Sequence, residues 1–296
     1  MNRLKESRAA SFIAVFLVYV LTALVGILVY RYLTVTLGVH WAPALLACDV
    51  VATVVTFAFS LIFKNASVYD PYWSVQPAVI LIAIQIGRPV SLFSALLLAT
   101  VLLWAVRLTA NWAYTFRGLT HEDWRYRMLR ERTGRLYPLV NFFGIHMVPT
   151  LIVFACTLPA AYIVRRSLAA GPLSYPLLAI SLIAIVLQAV ADIQMHRYRK
   201  DKNPNKLPFM RRGVWRHSRH PNYLAEILMW WGVALSAVAA FPMHWYLLAG
   251  ALANTLLFLI VSIPMADARQ SRKKGYKQYR AATRILLPIP RPKRRR

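Results

Sequence analysis

Runs of about twenty apolar residues recur along this chain, and no other feature limits its possible folds as much. The run from Ala9 to Tyr30 is followed by others at 42–63, 73–87, 91–116, 140–164, 173–195, 222–241 and 244–266. A helix needs about twenty mostly apolar residues to cross the hydrocarbon core of a bilayer. Hydrophobic residues make up 58% of the chain and charged residues only 16%. A soluble domain has roughly half and a quarter. The expected fold is therefore all-α: a polytopic bundle of about eight transmembrane helices embedded in a lipid bilayer. The third run is short, and Pro71, Pro77 and Pro89 border or interrupt it. Pro242 divides the last two runs, which predicts a tight helical hairpin. No small-residue cleavage site follows the first run, so it reads as a retained span and not as a signal peptide.

The formal net charge is +26. A soluble chain with that charge would suggest nucleic acid. Here the basic residues lie between and after the apolar runs, which leave no soluble domain to carry a nucleic-acid face. Their placement is asymmetric. With the N-terminus inside, one side of the membrane receives Arg3, Lys5, Arg8, Lys64, the arginines of 117–138, the cations of 196–220 and the tail from 267. The other side receives Arg31, Arg88, Arg165 and Arg166. Basic loops are retained in the cytoplasm, so both termini are expected there. The end, Arg291-Pro292-Lys293-Arg294-Arg295-Arg296, reads as a basic tail at the lipid surface. Cys48 and Cys156 lie inside apolar runs, without metal-ligand spacing or a disulfide framework. No metal site is expected.

Ionisable groups in a span are costly, so each is a candidate functional residue. Asp70, Asp192 and Glu226 all fall toward the side with the basic loops, as does Arg107 in the fourth run. Asp49 sits near the opposite side and reads equally well as an interfacial carboxylate. Buried acids and an arginine beneath a basic lid predict a cavity open to the cytoplasm. Interhelical ion pairs would account for the same residues through packing alone.

The densest segment runs from Arg211 through Trp215, Arg216, His217, Ser218, Arg219, His220, Pro221, Asn222 and Tyr223 to Glu226. Pro221 suits the first turn of a helix because its missing N–H needs no partner there. A helix N-terminus flanked by arginines favours a phosphate. Asn222 and Glu226 are four apart and share one helix face. A simple cytoplasmic anchor would explain the charges, but not the His, Asn and Glu around the helix start.

At these motifs the sequence resembles membrane enone reductases, in particular the bacterial branch of the steroid 5-alpha-reductase family. The resemblance covers roughly 42–290. It rests on Ser67-x-x-Asp70-x-x-Trp73, Arg107-Leu108, Asp192 with Arg199, the segment from Gly213 to Glu226, and Tyr276-x-x-Tyr279 before Pro288. Residues 1–40 then form an additional N-terminal helix, 41–290 the reductase-like membrane domain and 291–296 the basic tail. The resemblance implies NADPH as cofactor and a lipophilic small molecule as substrate, with a bacterial inner membrane as location. It assigns Arg107, Asp192, Arg199, Asn222, Tyr223 and Glu226 to cofactor binding, with Arg216, Arg219, His220, Arg269 and Tyr279 as further contacts. No Gly-x-Gly-x-x-Gly turn is present, so a dinucleotide site here is not of the Rossmann type.

Asp70 matches the acid that meets the substrate carbonyl in that family. A carboxylate cannot donate a hydrogen bond, so Asp70 needs a raised pKa or must orient Tyr69, Tyr72 or Trp73. It could instead simply cap the helix before Pro71. The catalytic set expected from the resemblance is Asp70, Tyr72, Trp73 and Trp104. Trp104 is a departure: the steroid enzymes have tyrosine three residues before the arginine of this span. An indole donates a hydrogen bond but is no acid. Membrane methyltransferases using S-adenosylmethionine share the Arg-His-Pro-x-Tyr core and are the competing class. A transporter or lipid-binding protein is the third.

Overall fold

A computed structural model describes residues 5–289, and in it the described chain is helical. The basic tail at 291–296 lies outside the described residues. The principal helices are α1 (Arg8–Arg31), α2 (Trp41–Ile62), α3 (Tyr72–Gln85), α4 (Leu92–Thr115), α5 (Trp124–Thr133), α6 (Val148–Arg166), α7 (Ser174–Lys200), α8 (Pro221–Ala240), α9 (Pro242–Gln270, in several turns of changing pitch) and α10 (Tyr276–Ala282). Among the described residues, seven helical runs are long and apolar enough to cross a bilayer: Arg8–Thr36, Trp41–Ile62, Leu92–Thr115, Trp124–Arg166, Ser174–Lys200, Pro221–Ala240 and Pro242–Gln270. The protein is an integral membrane protein of the helical class.

The expected eighth span is corrected. Pro77 does not break α3, which runs unbroken for 14 residues. That gives about 21 Å of helix, short of the roughly 30 Å hydrocarbon core. It stops at Gln85 because Gly87 turns the backbone to a φ of 72° and Pro89 follows. The loop expected at 117–138 instead contains the polar helix α5, which Asp123 caps by accepting the Arg125 N–H at 2.8 Å.

The described residues form two compact units. The first holds the chain up to Arg88 together with Val101–Thr157; the second holds Pro89–Thr100 and the chain from Leu158 onward.

In the first unit, Ser7 caps α1 by accepting the Ala10 N–H at 3.3 Å. The buried stripe of α1 is Ser11, Ala14, Val15, Val18, Thr22 and Gly26, mostly small residues that recur every three or four positions. Small side chains let helix backbones approach closely in a membrane, where packing rather than hydrophobic exclusion drives association. The other face, with Phe16, Leu24 and Leu28, is exposed and suits lipid. Polar atoms of α1 reach the loops beyond it. Tyr19 Oη donates to the Val68 carbonyl at 2.8 Å, and Ser11 Oγ accepts the Leu119 N–H at 3.0 Å.

In the second unit, α7 and α8 form the tightest pair. A Cβ placed on Gly232 would meet Ser181 Oγ at 2.2 Å and the Ser181 nitrogen at 2.8 Å. Ser181 Oγ donates to the Met229 carbonyl at 2.8 Å, which ties the two helices where they come closest. Pro221 occupies the first turn of α8, as expected.

Candidate functional site

Two groups of residues carry chemistry, one in each unit. In the first unit a capped turn sets Asp70. Lys64 leaves α2 at a φ of 50°, and Asn65 Oδ1 then accepts the Ser67 N–H at 2.8 Å, opening a 3-10 turn over Ala66–Tyr69. Asn65 Nδ2 donates to the Leu119 carbonyl at 2.7 Å, the Ala66 N–H to Glu122 Oε1 at 3.0 Å, and the Asp123 N–H to Ser67 Oγ at 2.9 Å. These bonds stitch 65–70 to 119–123 and bring the first turn of α5 onto Asp70. Tyr126 Oη donates to Asp70 Oδ1 at 2.5 Å, and an Arg125 guanidinium nitrogen lies 3.8 Å from the same oxygen. Burial pushes the Asp70 carboxyl up to about 6, against the pull of the Arg125 charge and the hydrogen bonds from Tyr126 and Ser67. Neither Arg125 nor Tyr126 was singled out in the sequence as a partner of this acid.

The other expected catalytic residues sit close by in different roles. Tyr72 Oη donates to Asp49 Oδ1 at 2.8 Å, so its phenol serves Asp49. Gln76 Nε2 donates to the other Asp49 oxygen at 2.5 Å. Asp49 is thus a buried, hydrogen-bonded carboxylate and not an interfacial one. Trp73 and Trp104 pack with ring centroids 6.1 Å apart, and Trp104 is fully buried. Arg107 is half-buried in α4. Asp70 does not cap α3, whose N-terminal residue position is Pro71 without a side-chain cap.

In the second unit Asp267, near the end of α9, gathers several of the expected cofactor residues. Arg219 Nη2 lies 2.9 Å from its Oδ2, His220 Nε2 3.1 Å from its Oδ1, and Tyr276 Oη donates to that same Oδ1 at 2.7 Å. Tyr279 donates to the Trp215 carbonyl, and His220 stacks on Tyr223 with centroids 5.2 Å apart. Glu226 accepts from Gln188 Nε2 and from Trp230 Nε1, the latter at 2.9 Å. Arg219, His220, Tyr279 and Glu226 are therefore committed to neighbours within the protein. Arg199, Arg216 and Arg269 are exposed, and Asn222 and Asp192 are half-buried. Lys273 is half-buried beside these cations: its ammonium is held below the usual lysine range by burial and by the charges of Arg269 and Arg199.

Once these positions are known, comparison with other proteins fixes the lineage. The family described as "Protein of unknown function (DUF1295)" matches residues 56–283. The chain belongs to DUF1295. An uncharacterized protein of the fission yeast Schizosaccharomyces pombe is 27% identical over 202 residues, which is 60% of this chain and 58% of that relative. The chain thus spans less than two thirds of the curated relative it matches. No solved structure matches. The DUF1295 part begins inside α2 and ends just past α10, so it contains Asp70, Tyr126, Asp267 and Lys273. All of α1, and Asp49 in α2, lie outside it.

Proposed function

We propose that this protein is a membrane oxidoreductase that reduces the conjugated carbon–carbon double bond of a lipophilic enone with NADPH. In this reading it belongs to the steroid 5-alpha-reductase-like branch of membrane enzymes and works in a bacterial inner membrane. The observation that carries the reading is the Asp70–Tyr126 pair. The family resemblance calls for an acid and a phenol, and Trp104 removes the phenol from its usual position. Tyr126 supplies one from α5, at 2.5 Å from Asp70.

When bound, NADPH supplies a hydride to the β-carbon of the enone. Negative charge then builds on the carbonyl oxygen, and what falls to the protein is a donor at that oxygen. Tyr126 has one phenolic O–H, which ionised Asp70 holds; once Asp70 is protonated it can donate to Tyr126 Oη and leave that O–H free for the carbonyl oxygen. A carboxyl raised to about 6 is also protonated for part of the neutral range and can donate in its own right. Arg125 balances the charge of the ionised form. Stacked aromatic rings around the pair, such as Tyr69 on Tyr72 at 5.3 Å, keep water away.

The cation group of Arg199, Arg269 and Lys273 fits a phosphorylated nucleotide, because partial burial and the two arginine charges hold the Lys273 ammonium below the lysine range and an anion would relieve it. Arg216 and Asn222, at the start of α8, add a donor fork and an amide beside a helix N-terminus. Arg219, His220 and Tyr279 shape this wall through Asp267 and backbone carbonyls.

The test is spectrophotometric. Protein purified in detergent is offered NADPH with 3-oxo-Δ4 steroids and with simpler lipid enones, and the loss of NADPH absorbance is followed. Consumption dependent on an enone supports the reading. Thermal stabilisation by S-adenosylmethionine but not by NADPH would overturn it in favour of methyl transfer.

A further inference from the structure

Helices α1, α2 and α3 enclose a cavity of about 380 Å³ within the first unit. That size lies within the range of small-molecule sites. Its walls are apolar, with Ile27, Leu45, Val79 and Ile80 among them. Neither Asp70 nor Tyr126 is among the described residues that line it. The polar lining includes Thr22, Asp49, Tyr72 and Gln76.

Hydrogen bonding at that polar group is incomplete in one specific way. Tyr72 donates to Asp49 Oδ1 at 2.8 Å and Gln76 Nε2 to Asp49 Oδ2 at 2.5 Å. The carboxylate only accepts, so it fixes which end of the Gln76 amide faces it. Gln76 Oε1 is left buried without a donor, on a residue 6% exposed. Thr22 Oγ1, on a residue 4% exposed, also has no partner. Buried polar atoms are nearly always paired, and an orphan in a cavity wall indicates a missing partner.

The missing partner must donate to Gln76 Oε1. A ketone or ether offers no proton. A carboxylate offers none either. A hydroxyl donates once and accepts, which answers both the amide oxygen and the threonine O–H. The apolar walls select a lipophilic body. We propose that this cavity binds a neutral lipophilic alcohol, its hydroxyl donating to Gln76 Oε1. The DUF1295 match starts at residue 56, so α1 and the Leu45–Ala52 stretch of α2 that wall the cavity lie outside it, while Tyr72 and Gln76 lie inside it. The site does not depend on the proposed reduction.

The experiment uses the full chain in lipid nanodiscs with two photoreactive diazirine alcohols, one linear and one a sterol. At least one should label peptides within 19–30 and 72–88. On the unaltered protein, the parent alcohol should compete about tenfold better than its methyl ether or the corresponding ketone. Gln76→Leu should bring that ratio to about one. Gly26→Leu, which projects a side chain into the cavity, should abolish labelling and serves if Gln76→Leu does not fold. Equal competition by alcohol and ether on the unaltered protein overturns the proposal, as does labelling by neither probe or only outside these helices.

Discussion

The phenol of Tyr126 donates to Oδ1 of Asp70 at 2.5 Å, across a sequence separation of 56 residues. The contact depends on the turn at Asn65 and the segment 119–123 being tied together by side-chain and backbone hydrogen bonds. It places a proton-bearing oxygen beside an acid, with Arg125 and Ser67 as the acid's other polar neighbours.

Tyr126→Phe removes that oxygen and little else. Turnover of an enone substrate should fall about 100-fold, within the range for loss of a positioned proton donor. The lost hydrogen bond should cost about 1–3 kcal/mol of stability, since its acceptor is a carboxyl group. Nucleotide affinity should not change. An unaltered kcat would remove Tyr126 from the chemistry.

Asp70 gives a pH signature of known sign. Burial raises its carboxyl from the ordinary range, near 4, to about 6. A group raised on folding binds its proton more tightly in the folded state, so its contribution to stability is complete below pH about 4. That contribution is lost as pH rises through about 6. Asp70→Asn should flatten this part of the stability curve. Thermal unfolding in detergent between pH 4 and 7 measures it, and an identical slope in the variant would contradict the assignment.

Lys273→Ala separates anion binding from folding. Without nucleotide the variant should be as stable as the parent or slightly more so, because it relieves the repulsion from Arg269 and Arg199. NADPH should bind about tenfold more weakly, corresponding to about 1.4 kcal/mol. Calorimetric titration at two salt concentrations reads both the affinity and its screening.

Asp267→Ala should be severe. Arg219, with 2% of its side chain exposed, would keep its charge without the carboxylate, and His220 and Tyr276 would lose their shared acceptor. Breaking a buried pair from one side costs about 3–5 kcal/mol. Arg216→Ala, at an exposed position, should stay within about 0.5 kcal/mol. Comparable losses for the two would mean that Asp267 does not organise this part of the unit.

Gly232→Ala tests the closest helix approach. The added carbon meets Ser181 at 2.2 Å and should cost about 1–3 kcal/mol through overpacking. Gly26→Ala makes a useful control, because the nearest atom to its new carbon, the Cys48 carbonyl oxygen, is 3.9 Å away.

Much of this architecture is legible from residues alone. Lipid requires long apolar helices, so the span positions follow from composition, and Pro221 marks the start of α8 because a first turn suits its missing N–H. The failure at 73–87 is physical: the apolar residues are there, but Gly87 and Pro89 end the helix too early for it to cross. Asp70 can be picked out from its local motif, but its partner cannot. Tyr126 arrives through a loop-to-loop hydrogen-bond pattern that no local periodicity encodes. Asp267 did leave a signal, an acid directly after an apolar run, yet its place in a basic tail made it look like a surface residue. Lys273 was hidden in the same way: its meaning comes from burial beside two arginines, which sequence spacing does not reveal.

The links from α1 to the loops around Asp70 bear on what can be cut away. The Val68 carbonyl and the Leu119 N–H both find their partners on α1, at Tyr19 and Ser11. A shortened chain keeping only the family-matched portion would strand those two backbone groups and loosen both segments that hold the Asp70–Tyr126 pair. A homologue that lacks the leading helix should therefore hold its acid by some other brace.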